Sequence, residues 1–122
     1  MRPDVETRGD LERVMTDFYK VALLDPLIGH HFAELDLETH IPLTVDFWEK
    51  ALFGRPTYYR NTFAIHHASH ALTPMVPEHF VRWVEIFCAA VDRGFHGETA
   101  EKLKLRARTI ADAMSLGLNS PF

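Results

Sequence analysis

The chain has 122 residues, 47% of them hydrophobic and 25% charged, with a formal net charge of −4. That is the length of one domain, expected to span residues 1–122 with enough apolar material for a core, and its interspersed charge gives no field that would draw nucleic acid or an anionic membrane. The lone cysteine, Cys88, excludes an internal disulfide and the sulfur-rich zinc or iron–sulfur sites.

The opening MRPDVETRGD is polar and has no apolar segment of the signal-peptide kind. Residues 1–9 are therefore expected to form a flexible N-terminus. No uninterrupted apolar run is long enough to span a bilayer, so a reducing, cytoplasmic setting is the expectation. The first helix is predicted from Asp10, as N-cap, to Leu24, with Leu11, Val14, Met15, Phe18 and Ala22 at helical spacing. Asp25 and Pro26 then stop it and restart a short helix, PLIGHHF, ending near Phe32.

After a loop, ETHIPLTVDFWEKALFG reads as a helix closed by Gly54, with Pro42 in its first turn. His40, Thr44 and Trp48 share one face, and Leu43, Phe47 and Ala51 make the adjoining stripe. RPTYYR is a loop. TFAIHHASHA reads as a short helix ended by Pro74. Pro77 opens the next, PEHFVRWVEIFCAAVDRGF, with an apolar stripe of Phe80, Trp83, Val84, Phe87 and Val91. A last helix begins near Thr99 and is expected to bury Leu103, Ala107, Ile110 and Met114. No stretch alternates with period two, so the chain is all-α, with about six helices.

Histidine is the residue type that stands out, with eight in the chain and three of them within residues 66–70. His66 and His70 lie one turn apart and could chelate a divalent ion, but a run of histidines is as often a solvated face, and the Glu of an HExxH metalloprotease helix is replaced by His67. Tyr19, His40 and Trp83 each put a polar hydrogen on an otherwise apolar helix surface. Singly they read as a half-buried tyrosine, a histidine near a helix start and a core tryptophan. Together they come from three helices, and each needs a partner if buried.

Six stretches in order, DFYKVALLDPLIGHHF, His40 with FWEKALFG, NTFAIH, PEHFVRWVEIF, VDRGFHGETAE and RARTIADAM, resemble the group III truncated haemoglobins, small bacterial globins. The resemblance runs from about Leu11 to Met114. It implies a two-over-two helical sandwich around haem b (iron protoporphyrin IX). His66 falls where the family keeps its iron ligand, ahead of His70 and His67. Tyr19, His40 and Trp83 match the family's distal polar residues, and Phe32 matches the phenylalanine packed on the haem. Thr44, Phe47 and Trp48 line the cavity in that reading, and Tyr58 and Arg60, with Arg55 and Tyr59 nearby, are within sequence reach of the propionates. Two departures bear on geometry. Arg60-Asn61-Thr62 stands where the family often has glycine and proline, and Pro42 follows closely on His40.

The implied function is binding of O2, and of NO, CO or peroxide, at a five-coordinate iron. Three donors would each stabilise a charged ligand by roughly 1.5–3 kcal/mol. Such a pocket suits slow release and redox chemistry or sensing better than transport. It leaves dioxygenase- or peroxidase-like activity open, with His40 as a proton relay or, swung inward, as a second iron ligand. The partners implied are small molecules and an unidentified reductase, and the chain is expected to be a monomer or weak dimer. Two rivals from other classes are a zinc-binding, hydrolase-like protein using His66, His70 and a third ligand, and a haem-free helical sensor or interaction module.

Overall fold

A computed structural model describes residues 2–33, 35–54 and 76–118 of the chain. Among these are four α-helices, one short 3-10 helix and no strand: α1 (Arg8–Ala22), the 3-10 turn (Gly29–Phe32), α2 (Leu37–Phe53), α3 (Pro77–Gly94) and α4 (Glu98–Leu118). The histidine-rich segment, with His66, His67 and His70, lies outside the described residues, as do Arg55, Tyr58, Tyr59 and Arg60.

The first helix starts earlier than its apolar pattern suggests. Thr7 is the N-cap, and Asp10 is the third helical residue of a capping box: Thr7 Oγ1 accepts the Asp10 N–H at 3.2 Å, while Asp10 Oδ2 accepts the Thr7 N–H at 3.0 Å. Assigning Asp10 as the cap located the right motif but the wrong member of it. The helix also closes at Ala22, short of the predicted Leu24. At the next boundary Asp25 acts as its sequence position implies, its carboxylate accepting the N–H groups of Leu27 at 3.1 Å and Ile28 at 3.2 Å. The restarted helix is only the 3-10 turn from Gly29. A side chain at Gly29 would sit 2.6 Å from the Leu23 carbonyl oxygen, so the chain can fold back this tightly only with glycine there.

Asp36 caps α2, and Gly54 closes it with φ 71 in the left-handed region. Pro42 lies inside this helix, in its second turn and not its first. Its missing N–H removes one helical bond. Pro77 occupies the first position of α3, as expected. In α4 the buried row is Leu103, Ala107 and Ala111, and the predicted Ile110 and Met114 are half-buried beside it.

Each pair of helices runs antiparallel, which follows from which ends meet. Arg8, at the start of α1, donates to Asp46 at 2.6 Å and Glu49 at 2.5 Å late in α2, while Tyr19, near the end of α1, meets His40 at the start of α2. In the other pair, Lys104 of α4 reaches Asp92 near the end of α3 at 2.7 Å, and Phe80 near its start clusters with Ala111 and Met114. The two layers, α1 with α2 and α3 with α4, join through α1 and α3. Phe18 is the centre of that joint: fully buried, it meets Phe87, Trp83, Phe32 and Tyr19 edge-on, with ring centroids 4.9–6.1 Å apart.

The expected flexible N-terminus is not what residues 2–9 form. Val5 is buried, the His96 N–H donates to the Pro3 carbonyl at 2.7 Å, and Arg2 bonds the Asp92 carbonyl. The Asp4 carboxylate accepts the N–H groups of Thr99 at 3.0 Å and Ala100 at 2.8 Å, capping α4 from a distant part of the chain. Burial pushes the Asp4 carboxyl up, but these backbone donors outweigh it and hold the group below the usual carboxylate range. Gly97 makes room for the contact. Its φ is 142, and a Cβ there would stand 2.5 Å from Asp4 Cγ.

Candidate functional site

Polar side chains turned into the α1·α2 layer are few, and two of them meet. The Tyr19 hydroxyl lies 2.8 Å from His40 Nε2, with the rings edge to face at 5.5 Å. The last turn of α1 places the phenol, continuing the buried row Leu11, Val14, Met15 and Phe18. The Asp36 cap places the imidazole: the Asp36 carbonyl accepts the His40 N–H at 2.8 Å, fixing the first turn of α2. Tyr19 is only 4% exposed, and burial pushes its phenol well above the ordinary value. The group therefore stays protonated throughout the physiological range and remains a hydrogen-bond donor.

The direction of the bond decides what the pair can offer. If His40 Nε2 carries the hydrogen, it donates to the phenol oxygen and the Tyr19 O–H is left to point at a third group. If Nε2 is bare, it accepts the Tyr19 O–H. Only the first arrangement leaves the phenol hydrogen available beside the apolar walls.

Those walls are aromatic. Phe32 stands edge-on to Tyr19 at 5.5 Å. Trp83 stacks on Phe87 at 5.1 Å and reaches Tyr19 and Phe32 through their shared neighbour Phe18. On α2, Leu37, His40, Ile41 and Thr44 recur at helical spacing and are all half-buried, next to the buried Val45 and Trp48. The Thr44 hydroxyl donates to the Ile41 carbonyl at 2.7 Å, so its hydrogen serves the helix. Phe47 packs on Trp48 at 5.0 Å. Phe32, Leu37, Ile41, Phe47 and Trp83 thus lie against the core without being closed over by it.

Tyr19 touches both His40 and Phe32, Trp83 is one residue removed through Phe18, and Trp48 is buried beneath them. Thr44 and Phe47 are on the same helix as His40. His66, Tyr58 and Arg60 lie outside the described residues. No group of three or more metal-ligating side chains suited to a cation occurs among the described residues.

Three features near the site escaped the sequence. Arg82 of α3 donates to the Asp25 carboxylate at 2.8 Å. His31 Nε2 and His79 Nδ1 are 3.0 Å apart, with the His30 ring tilted against His31 at 4.0 Å. Glu49, only 3% exposed, is held by Arg8. All three link residues far apart in the chain, where no periodicity carries information. The only available signal was the presence of an acidic residue on an apolar helix, as at Glu49 beside Trp48.

The helix order and the two antiparallel layers joined through α1 and α3 are those of a truncated-globin fold. Among solved structures the chain is similar to the group III truncated hemoglobin from Campylobacter jejuni, with a TM-score of 0.86 and 21% sequence identity, covering 98% of this chain and 97% of that one. No family model matches the sequence, and no curated protein does. At that identity the likeness establishes the fold, which is the one the sequence resemblance implied. No helix among the described residues is long and apolar enough to cross a membrane.

Proposed function

We propose that the protein is a haem-binding truncated globin of the group III kind, holding haem b through His66 and binding a small diatomic ligand beneath Tyr19, His40 and Trp83. The observation that carries this reading is the Tyr19–His40 hydrogen bond of 2.8 Å, set against half-buried aromatic walls on a truncated-globin fold. The donor set fits a haem pocket: protonated phenol and imidazole hydrogens on one side, and flat apolar side chains that a flat apolar cofactor would cover. Phe32 would lie against the ring, with Thr44, Phe47 and Trp48 along the α2 side, and Tyr58 and Arg60 would meet the propionates.

When bound, haem supplies a ferrous iron with one open position for a diatomic ligand. Tyr19 would direct its O–H at the ligand when His40 donates to the phenol oxygen. His40 then acts through Tyr19, holding the phenol in place. The Trp83 indole N–H is the second donor toward the ligand. His40 is engaged by Tyr19 and would have to give up this bond to hold a metal, which leaves His66 as the residue that would hold the haem. Two donors, one of them fixed by His40, suit retention of O2, and redox work on O2, NO or peroxide with electrons from a reductase, better than rapid delivery.

The test is the visible spectrum of the purified protein supplied with hemin, before and after reduction and exposure to carbon monoxide. A stoichiometric haem band that shifts with carbon monoxide in the parent and is lost in His66→Ala supports the proposal. A colourless protein with stoichiometric zinc, or one that takes up neither, overturns it.

A further inference from the structure

The pocket's aromatic walls come from two places: Phe32 closes the 3-10 turn after α1, and Trp83 stands on α3. Nothing in the backbone of either element fixes the spacing between them. Two side-chain bonds do. Asp25, whose side chain is 3% exposed, takes the Arg82 Nε hydrogen at 2.8 Å on one carboxylate oxygen and the Leu27 and Ile28 N–H groups on the other. A turn away on α3, His79 meets His31 at 3.0 Å. The seam therefore has two clasps, and the residues that follow them directly, Phe32 after His31 and Trp83 after Arg82, are the two walls.

The geometry points to Asp25 and Arg82 as positioning residues of the pocket: their ion pair sets where the Trp83 indole stands relative to Phe18, Tyr19 and Phe32. Arg82 does not touch these rings. It acts by locking α3 to a turn that the same carboxylate has already made rigid. The pairing is well suited to this, because a guanidinium fixes direction as well as distance. The inference rests on the haem-pocket reading only for its functional consequence. The placement of Trp83 can be measured without haem.

The test uses the full chain with 5-fluorotryptophan at its two tryptophans, Trp48 and Trp83. Trp83→Phe assigns the two fluorine resonances. Arg82→Gln and Asp25→Asn are each expected to move the Trp83 resonance while that of Trp48 stays in place, and Arg82→Lys, which keeps the charge without the planar donor, is expected to move it less than Arg82→Gln. Loaded with hemin and reduced, the first two variants should release O2 roughly twofold to thirtyfold faster, and Asp25→Asn should add nothing further in a Trp83→Phe background. A Trp83 resonance that does not move overturns the inference. Equal movement of both tryptophans does so too, since that is general loosening. If the Trp83 resonance moves but hemin is not retained, the positioning stands and the haem reading falls. Should Asp25→Asn fail to fold, Arg82→Gln decides the matter from its more exposed site.

Discussion

The two helical layers are built on the same antiparallel plan but handle polarity differently. Between α3 and α4 the interior is apolar, with Phe87, Val91, Leu103 and Ala107 buried, and the ionic contacts stay at the ends and rims, as at Lys104 with Asp92 and Glu101. Between α1 and α2, polar groups are carried inward: Glu49 under Arg8, and Tyr19 against His40. Burying such groups costs free energy unless each is matched, and here each is. A layer held only for stability would do as well with apolar side chains. The polarity of the α1·α2 layer sets it apart, and it is the layer that carries the proposed ligand site.

Substitutions that hit one layer and spare the other sharpen this contrast. The largest effect is expected at the joint. Phe18→Ala empties a fully buried site that touches both layers and should cost about 3–5 kcal/mol in denaturant unfolding. Leu103→Ala, in the apolar layer, should cost about 2–4 kcal/mol by the same measurement. It should leave the ligand kinetics of the haem-loaded protein at parent values, and a large kinetic change would break the division between the layers.

Asp4→Ala removes the remote cap of α4 and should cost roughly 1–2 kcal/mol. Asp4 and Asp25 are both held below their ordinary values, so the stability they contribute is fully present above about pH 4. It is lost as pH falls through their lowered folded-state values. Acid unfolding followed by circular dichroism should therefore be less steep in Asp4→Ala than in the parent. The smallest effect is expected at alkaline pH. Tyr19 is pushed up by burial, so its favourable burial as a neutral phenol persists up to about pH 10 and is lost above it. Ligand release should accordingly be insensitive to this group between about pH 7 and 9.

Local order was well marked in the sequence. The stripe Leu11, Val14, Met15 and Phe18, the stop at Asp25-Pro26, the closure at Gly54 and the start at Pro77 each reflect a preference decided within a few residues, and the structure follows them. Errors fell where two local signals competed. Thr7 and Asp10 are both cap formers, and only the reciprocal bonds of the capping box show which is the cap. The N-terminal residues looked loose because their partners, Thr99 and Ala100, are far along the chain. The clasps Asp25–Arg82 and His31–His79 were hidden for the same reason. Of the site, Tyr19, His40, Phe32 and Trp83 could be named from the sequence because they match a family pattern. That Tyr19 and His40 bond each other is a property of how α1 crosses α2, which no single helix encodes.

The most direct measurement on the account is the O2 dissociation rate of the reduced, haem-loaded protein with Tyr19→Phe against the parent. Loss of a donor worth roughly 1.5–3 kcal/mol predicts release faster by about one to two orders of magnitude, with folding stability changed little. An off-rate equal to the parent's, in a variant that still binds haem, would mean that the buried phenol does not face the ligand.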